Sequence, residues 1–192
     1  MTYAIHIYNK SDKGFTLIET LVAVALISLL SIMIVNIFIS YNDFFLSHES
    51  DIDTARSANA IMSEVGSAVL QATQVSTAHT FAGTSYSSDA DTLVLELPAI
   101  TQDGDTVPSA FDYVALYASG TAAYLVVDAH ASSVRSDETR TLSTTLYSLT
   151  FGYDSASMAD VSSVETDVRT RAERKGRTVE SHLKQQVYLR NR

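Results

Sequence analysis

Hydrophobic and polar positions divide the chain into regimes with different periods. Residues 15–39 are almost wholly apolar. From Ile52, the positions Ile52, Ala55, Met62, Val65, Val69 and Ala72 recur every three to four residues, with polar Asn59 as an exception. Asp51, Asp53, Arg56 and Glu64 lie off that stripe, so the pattern predicts an amphipathic helix packed on a sheet. Gly66 weakens such a helix by about 1 kcal/mol without stopping it. Residues 76–91, rich in Ser, Thr, Ala and Gly, read as a loop. Strand signals follow at 92–97, bounded by Pro98, at 113–117 and 123–127 around a Ser119-Gly120 hairpin turn, and at 145–151. Val164, Thr166, Val168 and Thr170 then alternate with polar neighbours, as do Val179, Ser181, Leu183, Gln185, Val187 and Leu189 after Lys175-Gly176-Arg177. This predicts a long terminal hairpin with one face on the core and one in water.

The apolar run has the dimensions of a membrane span. As a helix, the 25 residues 15–39 would extend roughly 37 Å, enough to cross a hydrocarbon core about 30 Å thick. Lys10 and Lys13 precede the run, which keeps the leader cytoplasmic and places the body after residue 40 outside. Ser40-Tyr41-Asn42-Asp43 offers no small-residue cleavage site after the run, so the segment is expected to stay in the mature protein. Glu19 is the anomaly. A carboxylate inside a membrane helix costs about 2.5–3.5 kcal/mol on insertion scales, and such a group needs a partner and a purpose.

Lys13-Gly14-Phe15-Thr16-Leu17-Ile18-Glu19, a basic leader followed by Gly, Phe and a Glu at fixed spacing within a long apolar run, resembles the cleavage and methylation motif of type IV prepilins and type II secretion pseudopilins. The resemblance is carried by residues 10–40. It implies that a membrane-embedded prepilin peptidase cuts between Gly14 and Phe15 and methylates the new amine of Phe15. Glycine before the cut suits close approach of the backbone to a protease. The resemblance also implies that Glu19 pairs with the Phe15 ammonium of a neighbouring subunit, which sets the axial register of assembly. Many major pilins break this helix with proline about twenty residues past the cut. Here Asn36 lies in that region and prolines occur only at 98 and 108, so the helix should run unkinked and the chain reads as a minor subunit. Leu93-Val94-Leu95-Glu96-Leu97-Pro98, Ser148-Leu149-Thr150-Phe151-Gly152-Tyr153-Asp154 and Val187-Tyr188-Leu189-Arg190-Asn191 are similar to segments of the larger minor pilins and pseudopilins.

Charge sharpens the picture. Residues 1–14 carry +1, residues 15–164 carry −14 and residues 165–192 carry +4, for a net charge of −9. The acidic body disfavours nucleic acid as a general partner. Arg169, Arg171, Arg174, Lys175 and Arg177 gather at the terminal hairpin turn, where they read as a solvated tip or as DNA phosphate contacts. Without interleaved aromatics the solvated tip is the better reading. Asp89 with Asp91, and Asp103 with Asp105 around Gly104, read as solvated turns, with calcium as the competing reading. The five histidines show no metal-ligand spacing, and no nucleophile elbow or phosphate loop occurs, so an enzyme is not expected and no cofactor is implied. The absence of cysteine excludes disulfides and thiolate metal sites.

Together these features predict an α+β, pilin-like chain: a cytoplasmic leader at 1–14, a transmembrane and filament-core helix at 15–40, its amphipathic extension at 41–76, and a β-rich extracytoplasmic head with an antiparallel sheet at 77–192. The function expected is that of a structural subunit of a type IV pilus or type II secretion-like filament, a competence pilus included. Its partners would be other pilin or pseudopilin subunits, the prepilin peptidase, the membrane and, by resemblance alone, an assembly platform and ATPase. Such a subunit starts in the cytoplasmic membrane and ends in a surface or periplasmic filament. Two other readings stay open: an anchored adhesin or DNA-binding tip subunit, and a non-cleaved signal-anchored domain.

Overall fold

The computed structural model describes residues 14–174 and 176–190. The leader residues 1–13, Lys10 and Lys13 among them, lie outside the described residues. The fold is α+β and pilin-like: a long apolar N-terminal helix followed by an antiparallel β head. Helix α1 runs Leu17–Gln71, 55 residues without interruption through Asn36. The chain divides into two compact units, residues 1–46 and 47–192.

In the first unit, the span Leu17–Asn42 is long and apolar enough to cross a membrane and none of it is buried within the chain. Three of its hydroxyls turn back onto the helix. Thr20 Oγ1 donates to the Leu17 carbonyl, Ser28 Oγ to Val24 and Ser31 Oγ to Ile27, each at 2.8 Å. These back-bonds remove free hydroxyl donors from a surface that has no polar solvent in a bilayer.

Among the described residues, the second unit holds ten strands: β1 Gln74–Val75, β2 Ala78–Phe81, β3 Thr84–Ser87, β4 Thr92–Ile100, β5 Thr106–Ser119, β6 Ala122–Asp128, β7 Glu138–Ser143, β8 Leu146–Tyr153, β9 Ser163–Arg174 and β10 Arg177–Tyr188. They form an antiparallel five-stranded sheet in the order β1-β4-β5-β6-β7, a three-stranded sheet in the order β10-β9-β8, and the β2-β3 hairpin. One face of the helix carries Ala58, Ile61, Val65, Val69 and Ala72 into a shared core with Leu93, Leu95 and Leu116 of the first sheet and Leu149, Val164 and Val168 of the second. Burying the isoleucine, valine and leucine side chains among these contributes about 1.5–3 kcal/mol each, which makes this contact the main stabilising term of the head.

The expected stripe holds at Met62, Val65, Val69 and Ala72, all buried, but differs at its start: Ile52 is exposed, while Thr54, Ala58 and Ile61 are buried. Buried Thr54 is admissible because its hydroxyl bonds the Ser50 carbonyl at 3.0 Å and its own carbonyl accepts the Thr170 hydroxyl at 2.8 Å. The helix stops at Gln71 rather than continuing to 76, because Thr73 N–H turns to the Glu96 carbonyl (2.8 Å) and starts the sheet.

Residues 76–91 are not a loop. They contain the β2-β3 hairpin, turned by Ala82 and Gly83 with φ of 45° and 91°. Both turn residues are left-handed, as a two-residue turn matching strand twist requires. Phe81 packs with Val94, Ala115 and Val126 on the outer face of the five-stranded sheet. Strand β4 continues through Pro98 to a register shift between Pro98 and Ile100, the kind of irregularity at which strand prolines are tolerated. The Ser119-Gly120 hairpin and the terminal hairpin form as expected, with Val164, Thr166, Val168 and Thr170 all buried.

Two buried threonines of β9 should respond oppositely to loss of their hydroxyls. Thr166 Oγ1 is buried without a hydrogen-bond partner, whereas Thr170 Oγ1 bonds the helix. Thr166→Val is expected to stabilise the chain by about 1 kcal/mol and Thr170→Val to destabilise it by a similar amount, read by urea unfolding of the full chain in micelles. Asp154 supplies a second test. Its carboxylate accepts the Ser162 hydroxyl and the Ser162 N–H (2.9 Å), closing the intervening segment and pulling its pKa from 3.8 down to about 2. A lowered folded-state pKa means that the closure is fully present above the ordinary carboxylate range and is lost as pH falls through about 2. Carboxyl NMR titration should give that low midpoint; a midpoint near the ordinary value would show the segment open.

Candidate functional site

The start of α1 is built by its own side chains. Thr16 accepts the first helical bond, from Thr20 N–H at 3.2 Å. Its hydroxyl accepts Glu19 N–H at 3.3 Å, and Glu19 Oε2 accepts the Thr16 N–H at 3.4 Å in return. The bonds are long, but the reciprocal pattern is that of a capping box, in which Thr and Glu three residues apart satisfy each other's orphan donors. Glu19 is also the acidic residue of the first turn, where the partial positive charge of the helix end favours a carboxylate. Glu19 therefore has a local partner in the single chain, a role that the Thr-x-x-Glu spacing could have revealed in the sequence. Phe15 is 79% exposed, and nothing lies within 4 Å of where a Cβ on Gly14 would stand. The Gly14–Phe15 bond and the first turn are thus open on all described sides, at the head of an exposed apolar helix.

The other expected residues do not form a comparable site. On the outer face of the terminal hairpin, Arg171 pairs with Glu180 (Nε to Oε1, 2.7 Å) and lies 4.0 Å over the Tyr147 ring. Arg169 lies 3.7 Å from Asp167, His182 pairs with Asp167 at 3.0 Å, and Lys184 with Glu165 at 2.8 Å. Glu180 and Glu165 raise the pKa of Arg171 and Lys184 respectively. Arg171 is thus engaged by a carboxylate of the neighbouring strand and Arg169 by one on its own strand, which weakens a phosphate-binding reading. Arg177 is exposed. Lys175 and the side chain of Arg174 lie outside the described residues.

The acidic pairs serve turns. Asp89 Oδ1 accepts the N–H groups of Asp91 and Thr92, both at 2.8 Å. Asp103 and Asp105 flank a turn closed by Gly104 N–H on the Thr101 carbonyl at 3.0 Å and by Thr101 N–H on the Asp105 carbonyl at 2.8 Å. Among the described residues, no three His, Asp or Glu side chains come together to hold a metal ion, so the calcium reading of these pairs finds no support.

A buried ion pair that the sequence does not announce lies under the β6–β7 connection. Asp112 is fully buried and accepts Arg135 Nη1 (2.5 Å), Ser133 Oγ (2.7 Å) and His130 N–H (2.8 Å). Arg135 continues to the Pro98 carbonyl and to Gln71 Oε1, both at 2.9 Å, tying the connection to the end of α1. Both Asp112 carboxylate oxygens and both terminal Arg135 nitrogens are engaged within the head, so this network is structural.

Residues 9–35 match the family model for the prokaryotic N-terminal methylation motif. The chain carries the prepilin-type motif that is the hallmark of type IV pilins and pseudopilins. The match contains Gly14, Phe15, Thr16 and Glu19, the residues at the exposed helix start, and it fits a membrane-anchored protein. No curated protein matches the chain, and no solved structure does. For this motif, Thr16→Ala should fray the first turn: amide exchange at Glu19 should quicken, with the exchange of residues 58–69 unchanged, because an N-cap is worth about 1 kcal/mol and acts only locally.

Proposed function

We propose that the chain is a prepilin, cut between Gly14 and Phe15 by a prepilin peptidase, methylated on the Phe15 amine, and assembled as a minor structural subunit of a type IV pilus or type II secretion-like filament. The observation that carries this reading is Glu19: the one carboxylate of an exposed apolar helix, four residues past a Gly-Phe bond and within the matched motif. In the free subunit it holds the Thr16 backbone. In a filament, the Phe15 ammonium of a neighbour offers it a full positive charge in a low-dielectric core, where such a pair is far stronger than in water. That exchange supplies axial register, and a heterologous contact that does not close builds a fibre. The span 15–40 would be anchor before extraction and filament core after it, with residues 41–76 as its extension, 77–192 as the head and 1–14 as the cytoplasmic leader.

Glu19→Gln keeps most of the shape and removes the charge. In cells with the native peptidase and assembly machinery, the variant should still be processed but should fall at least tenfold in sheared filaments and accumulate in the membrane. Undiminished incorporation would remove the register role from Glu19.

A further inference from the structure

Between Phe15 and Phe38 the apolar helix contains no aromatic ring, and then four arrive within eight residues: Phe38, Tyr41, Phe44 and Phe45. Phe38, Tyr41 and Phe45 are spaced i, i+3, i+7 and so share one helix face, with exposures of 71%, 66% and 59%. The apolar span ends at Asn42, so the aromatics straddle its outer limit, where Asn42, Asp43, His48 and Glu49 bring polarity back. From Phe15 to Phe45 the helix rises about 45 Å at about 1.5 Å per residue. A bilayer with its headgroup regions measures about 40–45 Å. Aromatic side chains favour that boundary, one end apolar and the other wet.

We propose that Phe38, Tyr41, Phe44 and Phe45 form an aromatic collar that binds the outer headgroup boundary of the membrane and fixes the depth of the helix. The lipid boundary, rather than a protein partner, is its occupant because the collar is continuous with the apolar span and lies one bilayer thickness from Phe15. Held there, the collar keeps the Gly14–Phe15 bond at the opposite, cytoplasmic headgroup level, within reach of a membrane-embedded peptidase. The collar is therefore a positioning element for processing. The inference rests on the span crossing the membrane, and not on later assembly into a filament.

The chain has no tryptophan, so a single Trp reports without background. The full chain is placed in phosphatidylcholine–phosphatidylglycerol vesicles carrying lipids brominated either shallow or deep in the acyl chain. Phe45→Trp tests the collar, and Leu30→Trp, midway between Phe15 and Phe45, tests the span. The collar predicts that Leu30→Trp loses most fluorescence to deep bromines and Phe45→Trp to shallow ones, both with blue-shifted emission. If Leu30→Trp is quenched deep while Phe45→Trp emits as in water, the collar is wrong and the span stands. A Phe45→Trp signal that is blue-shifted but unquenched by either lipid assigns the face to protein contact and overturns the proposal. A Phe45→Trp signal quenched most by deep bromines places the register elsewhere, which overturns it too. An unquenched Leu30→Trp removes the membrane reading itself, and the collar with it.

Discussion

Burial of one face of α1, from Thr54 to Val69, against the inner faces of two sheets is the contact on which the head depends. Neither sheet closes a core alone: the five-stranded sheet contributes Leu93, Leu95 and Leu116, the three-stranded sheet Leu149, Val164 and Val168, and the helix carries Ile61, Val65 and Val69 between them. The polar members of the contact are few. The Thr170 hydroxyl reaches the Thr54 carbonyl, and the buried Asp112–Arg135 pair pins the end of the helix through Gln71. Because no disulfide can form in this chain, packing and these few polar contacts carry the whole of that task.

The same helix begins in a different solvent. From Leu17 to Asn42 no side chain is buried within the chain, and the hydroxyls of Thr20, Ser28 and Ser31 turn back onto the helix. An apolar surface of this length requires lipid or other copies of the segment, and the matched motif at residues 9–35 is that of proteins processed at this helix start. Glu19 links the two requirements. A carboxylate that caps its own first turn can be carried in a single chain, and in the proposed filament it would exchange that cap for a neighbour's cation.

Much of this was legible in the sequence, for physical reasons that differ by region. The apolar span is legible because a bilayer demands an unbroken run of residues, and the motif because Gly, Phe and Glu occur at fixed spacing. The terminal hairpin is legible because Val164, Thr166, Val168 and Thr170 alternate strictly. Only the start of the helix stripe is misleading, because Ile52 looks like core and Thr54 does not. Inside, the Thr54 hydroxyl turns back to the Ser50 carbonyl and its own carbonyl accepts the Thr170 hydroxyl, a contact that spans 116 residues. The β2-β3 hairpin escaped because its turn is Ala82-Gly83 rather than an Asn-Gly pair, and its strands are mostly Ser and Thr around Phe81 and Tyr86. Asp112–Arg135 escaped because ion pairs between distant segments leave no local spacing. The capping role of Glu19 was readable from Thr-x-x-Glu, but was overshadowed by the oddity of a charge in a membrane span.

The central claim is that the bond between Gly14 and Phe15 is cut in the cell and the new end modified. Intact mass with N-terminal sequencing of the protein from its native membrane tests it most directly. The account predicts a chain that starts at Phe15 and carries one added methyl group on its amine. A chain that retains residues 1–14 in cells with an active prepilin peptidase would contradict it, leaving a signal-anchored head whose helix start is capped but never released.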